Sequence, residues 1–262
     1  MIRAASVTRR FGSFTAVDAI SFEVAAGEIF AFLGPNGAGK TTTVKMLTTL
    51  LPLTSGTIEI DGLDPMRQGD QVRRRIGVVF QDPSLDQELT ALENMALHAA
   101  LYRLPRAVLR QRAETLLRTF GIWERKDSQV KDFSGGMRRR LEIARGMLHT
   151  PSILFLDEPT LGLDPQMRNQ LWAQVKDLNH REGVTVFLTT HYLDEAERAA
   201  NQVAIIDSGR LVALGTPQQL KERTRTDSLE DAYLVITGAD LREQTVGIGE
   251  PLRAVERESR QR

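Results

Sequence analysis

The residues with the clearest potential for chemistry form a glycine-rich stretch near position 40. Residues 34–42 read Gly-Pro-Asn-Gly-Ala-Gly-Lys-Thr-Thr and match the pattern G-x-x-x-x-G-K-[ST] without a gap. Glycines allow a tight turn that points successive backbone N–H groups at a phosphate. In such a loop Lys40 brings charge to the β- and γ-phosphates, and the Thr41 hydroxyl can bind Mg²⁺. The predicted phosphate-binding residues are Gly34, Pro35, Asn36, Gly37, Ala38, Gly39, Lys40, Thr41 and Thr42.

Two adjacent carboxylates follow an apolar stretch in the second half of the chain. Residues 152–158 read Ser-Ile-Leu-Phe-Leu-Asp-Glu, which is typical of a buried strand that ends at Asp157 and Glu158. Ligands gather at the carboxyl ends of strands in open α/β sheets, where Asp157 can hold Mg²⁺ through its water shell. Glu158 can take a proton from an attacking water. Alone, the stretch fits an ordinary acidic junction better, and the phosphate loop upstream reverses that preference.

A third element combines a serine with two glycines before a predicted helix. Residues 133–137 read Phe-Ser-Gly-Gly-Met. Ser134 can cap the helix, and the glycines leave backbone N–H groups accessible at its positive end. The pattern can bind an anion, but by itself an ordinary capped helix is the better interpretation.

Apolar runs and periodic patterns predict the elements that position these residues. Strands alternate with helices through most of the chain, which favours a mainly parallel sheet covered on both faces. Short strands predict a β-rich start, and helical periodicity predicts an inserted helical subdomain at about 82–150. The predicted strands are 4–8, 20–24, 29–33, 57–62, 76–80, 153–156, 185–189 and 202–207. The predicted helices are 42–51, 109–120, 137–148, 165–180 and 194–200.

Composition excludes several classes of protein. The 262 residues are 41% hydrophobic, which is enough to bury one large core or two modest ones. The 34 basic and 34 acidic residues cancel, which argues against nucleic acid or anionic lipid as the main partner. The absence of cysteine excludes disulfides and thiolate chemistry. Because no apolar run reaches signal-peptide or membrane-span length, we expect a cytoplasmic protein.

Taken in order, these motifs resemble the ATP-binding subunits of ABC transporters from about residue 7 to residue 220. The likeness adds Phe11, where the family places an adenine-stacking aromatic, and Gln81, Asp164 and His191. It implies an α/β fold with a P-loop NTPase core, a mainly parallel sheet, an N-terminal antiparallel β-subdomain and an inserted helical subdomain. The ATPase domain would span 1–237, and the charged segment 238–262 would be a mobile tail.

The resemblance implies ATP and Mg²⁺ as ligands and ATP hydrolysis as the activity. The implied catalytic residues are Glu158, His191, Gln81 and Lys40. The implied Mg²⁺ ligands are Thr41, Gln81 and Asp157. Outside the phosphate loop, the implied ATP contacts are Phe11, Ser134, Gly135, Gly136 and Asp164. Phe14 competes with Phe11 for the adenine contact.

The Ser-Gly-Gly element departs from the family signature at both ends. Phe133 and Met137 replace the usual Leu and Gln. Because the phosphate contacts come from the Ser134 hydroxyl and backbone N–H groups, we expect ATP capture to survive. The resemblance does not carry the interdomain signalling role of the family's Gln over to Met137.

The resemblance also implies partners. Two copies would pair head to tail, with each ATP between the phosphate loop of one and the signature of the other. Separate transmembrane permease subunits would hold the protein at the cytoplasmic face of the membrane, docking near Gln81 and residues 82–94. No nucleic-acid partner is expected.

Three further stretches resemble the branch of drug exporters typified by daunorubicin-resistance ATPases. They are 84–94, 190–197 and 228–238. These stretches favour export, and exporters of polysaccharides and lipo-oligosaccharides have much of the same sequence in them. An importer ATPase stays open, as does a soluble ATPase acting on ribosomes or DNA, although such proteins usually carry two cassettes or a long coiled coil. Intact Gln81, Glu158 and His191 argue against a regulatory module that has lost hydrolysis.

Overall fold

The computed structural model describes residues 1–238, so the predicted tail lies outside the described residues apart from Gly238, which ends the last helix. Two sheets and nine α-helices are described within that range. The strands are β1 (Ile2–Phe11), β2 (Phe14–Val24), β3 (Ile29–Leu33), β4 (Ser55–Ile60), β5 (Ile76–Val79), β6 (Ile153–Asp157), β7 (Thr185–Thr190), β8 (Gln202–Asp207) and β9 (Arg210–Gly215). The helices are α1 (Lys40–Leu47), α2 (Gly69–Arg75), α3 (Ala91–Leu101), α4 (Arg106–Thr119), α5 (Gly135–Gly146), α6 (Pro165–Glu182), α7 (Leu193–Ala199), α8 (Pro217–Thr224) and α9 (Leu229–Thr237).

The larger sheet confirms the predicted parallel core. Its strand order is β5-β6-β7-β3-β8-β9, and every neighbouring pair is parallel except β8 and β9. The smaller sheet, β2-β1-β4, is antiparallel and confirms the predicted N-terminal β-subdomain. Helices α3, α4 and α5 lie between β5 and β6 in the chain, where the helical insert was predicted. Its boundaries as a separate subdomain stay a prediction.

Alternation along the buried strands divides the core into two clusters. In β3, Ala31 and Leu33 pack with residues from the helical insert, whereas Phe30 and Phe32 pack toward the antiparallel sheet and α1. Phe30 and Phe32 lie 5.4 and 5.7 Å from Phe187, measured between ring centroids. Each fully buried Phe contributes about 1.5–3 kcal/mol. This double-sided packing holds the carboxyl ends of the strands at one edge.

Some element boundaries were predicted wrongly. Helix α1 begins at Lys40 and ends at Leu47 rather than spanning 42–51, because Thr49 adopts a left-handed φ of 68°. Helices α2, α8 and α9 and the antiparallel strand β9 were not predicted. No helix within residues 1–238 is long and apolar enough to cross a bilayer.

Candidate active site

The predicted phosphate loop joins the end of β3 to the start of α1. A Cβ atom on Gly34 would lie 2.3 Å from the Ile206 carbonyl oxygen, and one on Gly39 would lie 2.6 Å from the Ala16 carbonyl oxygen. Gly39 also has a φ of +105°, which disfavours any side chain. Neighbouring strands therefore require glycine at both positions. Because α1 begins at Lys40, the positive end of the helix lies at the loop.

Lys40 is held inside this loop by three contacts. Its Nζ atom donates to the Gly34 carbonyl oxygen at 2.6 Å and to the Pro35 carbonyl oxygen at 3.2 Å. The same atom lies 3.1 Å from Glu158 Oε1, and both side chains are only 6% exposed. The phosphate loop and the predicted general base therefore meet in one buried ion pair.

Asp157 lies at the end of β6 beside the Thr41 hydroxyl. Thr41 Oγ1 donates to Asp157 Oδ1 at 3.3 Å, and Thr189 Oγ1 donates to the same oxygen at 2.5 Å. Asp157 Oδ2 is buried without a hydrogen-bond partner. An unpartnered carboxylate oxygen next to a threonine hydroxyl fits Mg²⁺, which prefers hard oxygen ligands and keeps several waters. Within residues 1–238 no cluster of three or more His, Cys, Asp or Glu could hold a metal by protein ligands alone.

Glu158 follows Asp157 in an unusual backbone conformation. Its φ is +48°, and its backbone N–H donates to both the carbonyl and the hydroxyl oxygen of Thr189, at 3.2 and 3.0 Å. His191 Nδ1 lies 2.8 Å from Glu158 Oε2, so a proton on Nδ1 makes this a hydrogen bond. Burial alone would raise the pKa of Glu158, but His191 and the charge of Lys40 outweigh it and lower that pKa. The carboxylate form of Glu158, which is the form that a general base requires, is therefore favoured.

One cleft of about 490 Å³ brings the phosphate loop together with some of the other predicted residues of the same chain. Gln81, Glu158 and the rings of Phe11 and Phe14 line it. Phe11 is 46% exposed and Phe14 is 63% exposed. The Arg9 guanidinium lies over the Phe11 ring, 4.5 Å from its centroid. Both rings are thus available at the cleft, and one face of Phe11 already carries a cation.

The predicted signature and Asp164 lie elsewhere. Ser134 accepts a hydrogen bond from the Met137 backbone N–H at 3.3 Å and caps α5, while Asp164 accepts one from the Met167 backbone N–H at 2.9 Å and caps α6. Neither Asp164 nor any residue of Ser134–Gly136 lines the phosphate cleft. One chain therefore does not bring these predicted ATP contacts to its own phosphate loop.

Sequence reasoning missed Arg139, a buried residue on α5. Its guanidinium makes five hydrogen bonds of 2.6 to 3.1 Å. The acceptors are the Glu142 carboxylate and the carbonyl oxygens of Phe80, Asp157, Glu158 and Pro159. Arg139 thus ties the strand ends before Gln81 and around Glu158 to the helix that begins at the signature.

Sequence reasoning also missed Thr189, and the two residues differ in the signal that the sequence offered for them. Arg139 is the middle of three consecutive arginines, and only its helix face distinguishes it from its neighbours. Thr189, which holds Asp157 and Glu158, lies in an ordinary β-branched strand and carries no distinguishing signal.

The family model described as "ABC transporter" matches residues 17–161. The chain belongs to the ABC transporter ATP-binding family. Relatives of this ABC protein confirm the predicted family and the predicted drug-exporter branch.

Two resistance proteins among the relatives show that branch, and a Nod factor export protein is similar as well. The daunorubicin/doxorubicin resistance ATP-binding protein DrrA of Streptomyces peucetius is 46% identical over 84% of this chain and 66% of its own length. The Nod factor export ATP-binding protein I of Cupriavidus metallidurans is 42% identical over 82% and 71%. The linearmycin resistance ATP-binding protein LnrL of Bacillus subtilis is 39% identical over 87% and 73%. The chain thus spans about two thirds to three quarters of these relatives.

Solved structures of ABC cassettes share the fold. The ATP binding subunit of an ABC transporter superposes with a TM-score of 0.82 at 31% identity, covering 90% of this chain and 99% of that one. The dimeric cassette MJ0796 bound to ADP and Pi superposes with a TM-score of 0.74 at 28% identity, covering 82% and 98%.

Proposed function

We propose that this ABC protein binds and hydrolyses MgATP and that hydrolysis powers export through separate permease subunits. The observation that carries the proposal is the position of Glu158. It is buried and its carboxylate form is favoured, it contacts His191 at 2.8 Å and Lys40 at 3.1 Å, and it lines the cleft formed by the phosphate loop. A carboxylate in this setting is suited to take a proton from a water that attacks a phosphoryl group.

The residues in and around the cleft have distinct parts in this mechanism. Glu158 accepts the proton of the attacking water, and His191 holds the carboxylate in place through Oε2. Lys40 and the loop N–H groups stabilise charge that develops on the transferring phosphoryl group. Thr41, Asp157 and Gln81 would hold Mg²⁺, which neutralises phosphate charge when bound. Phe11 offers its exposed ring face to adenine.

We further propose that two copies assemble head to tail around the nucleotide. In each composite site, Ser134–Gly136 of one copy would close over the phosphates in the loop of the other, and Asp164 would face the partner. Supporting this, both segments lie outside the phosphate cleft of their own chain, and Ser134, Gly135 and Asp164 are exposed where their helices start. The cassette MJ0796, described as dimeric, shows that a related protein associates in pairs.

The names of the relatives favour export of a drug-like or lipid- or saccharide-type molecule. One relative is named for daunorubicin and doxorubicin, one for linearmycin and one for Nod factor export. These names give no support to import or to a role on ribosomes or DNA. A permease helix would dock between the helical insert and the main sheet, near Gln81, placing the protein at the cytoplasmic face of the membrane.

The test compares the parent with Glu158→Gln. Because a general base contributes roughly 10²- to 10⁴-fold, phosphate release should fall by that factor while MgATP binding persists. Size-exclusion chromatography in MgATP should then show a trapped dimer. Glu182→Gln is the control, since Glu182 also pairs with a cation, Arg112, but outside the cleft. Equal hydrolysis by parent and Glu158→Gln would overturn the assignment of the base.

A further inference from the structure

Another buried carboxylate, Glu195, lies on the helix that follows His191. Glu195 is only 4% exposed and faces two buried threonine hydroxyls. Thr160 Oγ1 donates to Glu195 Oε2 at 2.8 Å, and Thr190 Oγ1 lies 3.4 Å from the same oxygen. One carboxylate oxygen thus joins the loop after β6, the end of β7 and helix α7.

The two threonines flank the residues proposed to do the chemistry. Thr160 is two positions after Glu158, and Thr190 directly precedes His191. The Thr190 hydroxyl also accepts a hydrogen bond from the Tyr192 backbone N–H at 2.9 Å, which fixes the chain on the far side of His191. The contacts of Glu195 therefore span the two segments whose side chains meet at 2.8 Å in the Glu158–His191 pair.

A carboxyl group that only filled space at this position would destabilise the fold. Burying a carboxylate is unfavourable unless hydrogen bonds compensate. Burial raises the pKa of Glu195, and the hydrogen bond from Thr160 opposes that rise only in part. An apolar side chain would fill the space at lower cost but could not accept a hydrogen bond from either hydroxyl, so the bridge itself is the feature to explain.

We infer that Glu195 is a positioning residue that holds the loop of Glu158 and the loop of His191 in the register that their hydrogen bond requires. The inference rests on the proposed hydrolysis and adds a residue to it. Glu195 acts through Thr160 and Thr190 and does not line the phosphate cleft. Nucleotide affinity, which depends on the phosphate loop, is therefore independent of it, and only the catalytic step is sensitive.

The test measures kcat and KM for MgATP, together with urea unfolding, on the full chain. Glu195→Ala should lower kcat roughly 10- to 100-fold, the range for a displaced catalytic group, with KM close to that of the parent. Thr160→Val, which removes only the hydroxyl, should lower kcat in the same direction, and Thr160→Ser should restore it. The double variant Glu195→Ala, Thr160→Val should be no worse than Glu195→Ala, because both changes break one connection.

Glu197→Ala is the matched control on the same helix. Glu197 pairs with Lys221 at 2.7 Å and accepts a hydrogen bond from the Leu229 backbone N–H at 3.2 Å, away from the catalytic loops. Its kcat should stay at the parental value even if stability falls. A comparable loss of kcat in Glu197→Ala, or parental kcat in both Glu195→Ala and Thr160→Val, would overturn the inference.

Two further outcomes separate this inference from the proposed function. If the parent hydrolyses ATP in a Glu158-dependent manner and the Glu195 and Thr160 variants match it, only the positioning role is wrong. If the parent does not hydrolyse ATP, the proposed function itself is wrong. Should Glu195→Ala fail to fold, the Thr160→Val and Thr160→Ser pair decides, because a loss of kcat in Val that Ser does not reverse contradicts the bridge.

Discussion

The phosphate loop and the Ser134–Gly136 turn both offer glycine-rich backbone at a helix start, but Lys40 of the loop is buried whereas Ser134 and Gly135 of the turn are exposed. Both place glycines at the start of a helix, α1 and α5 respectively. Lys40 is buried and contacts Glu158, whereas Ser134 and Gly135 are exposed and Ser134 bonds only within its own helix start. The first site is self-contained in the sense that its own chain holds Lys40 in place. The second offers its donors outward, as the proposed head-to-tail pair requires.

Helix α5 connects these two regions. It begins at the exposed turn, and one turn later Arg139 bonds the carbonyl oxygens of Asp157 and Glu158 at 2.9 Å. If a partner displaced the Ser134–Gly136 turn, Arg139 would therefore transmit the displacement to Asp157 and Glu158 at the end of β6. The contrast between a self-contained site and an outward-facing one can be broken or sharpened by six measurements.

The largest effect is expected for Lys40→Ala, which removes the cation of the self-contained site. MgATP binding and hydrolysis should both be lost, since Lys40 serves the phosphates directly. Leaving Glu158 buried without its cation should also cost roughly 3–5 kcal/mol in the free energy of unfolding. The measurements are titration with a fluorescent ATP analogue, phosphate release and urea unfolding.

Two controls accompany that variant. Lys45→Ala removes an exposed lysine from the same helix and should behave like the parent. The double variant Lys40→Ala, Glu158→Gln should regain much of the lost stability, because no buried charge stays unpaired. Normal nucleotide affinity in Lys40→Ala would show that the loop is not the phosphate site.

Ser134→Ala should spare nucleotide binding by a single chain but lower kcat by roughly 10²- to 10³-fold, the effect of losing one donor to the transition state. The cap of α5 is lost too, at about 1 kcal/mol. Ser228→Ala is the matched control, since Ser228 caps α9 by accepting from the Asp231 backbone N–H at 3.0 Å. It should lose similar stability and retain hydrolysis.

Mixing Ser134→Ala with Lys40→Ala tests whether the signature acts across the pair. In a head-to-tail dimer, the mixed pair concentrates both defects in one composite site and leaves the other intact. Phosphate release should therefore recover on mixing. No recovery, with mixed pairs demonstrated by tagged chains, would mean that each signature serves its own chain.

Arg139→Lys tests the connection between the two regions. A lysine cannot reproduce the fork of the guanidinium, and each buried carbonyl left without a donor costs about 1–3 kcal/mol. We expect a loss of about 3 kcal/mol or more in the free energy of unfolding, together with slower hydrolysis. Arg140→Lys, whose contacts with Gly136 and Phe120 are 3.3 and 3.4 Å long, should change little. Equal free energies of unfolding in the two variants would show that the hydrogen bonds of Arg139 stabilise the fold no more than those of Arg140.

The pH dependence of stability should have opposite signs at Glu158 and Glu195. The lowered pKa of Glu158 stabilises the fold above the ordinary value of 4.5, and this contribution is lost as pH falls through the folded pKa. The raised pKa of Glu195 stabilises the fold below 4.5, and this contribution is lost as pH rises through the folded pKa. Urea unfolding of the parent, Glu158→Gln and Glu195→Gln from acid to neutral pH measures both, and parallel profiles would contradict the signs.

The smallest effect concerns the adenine contact. Phe11→Ala should weaken nucleotide binding by about 0.5–1.5 kcal/mol, the value of one aromatic contact, and Phe14→Ala should weaken it less. Equilibrium titration of the two variants measures the difference. The reverse order would assign the platform to Phe14, whose ring is more exposed and carries no cation from Arg9.

Much of the fold was predictable because its signals are local. The buried strands β3 and β6 are short apolar runs, and the loop after β3 has a spacing that few other structures use. Strand alternation with helices indicated the parallel sheet. Helices α8 and α9 escaped prediction, although Thr216 and Ser228 are ordinary capping residues, because their patterns are short.

The sequence by itself predicted the chemistry, namely which residues would bind phosphate, hold Mg²⁺ and accept a proton, and it determined the strands that carry them. The tertiary structure decided how those groups are held. Arg139 reaches Phe80 across 59 positions and Glu195 reaches Thr160 across 35, and no short-range pattern encodes either contact. Local motifs depend on backbone conformation over a few residues, whereas these contacts depend on which strands become neighbours, and only the packed sheet settles that.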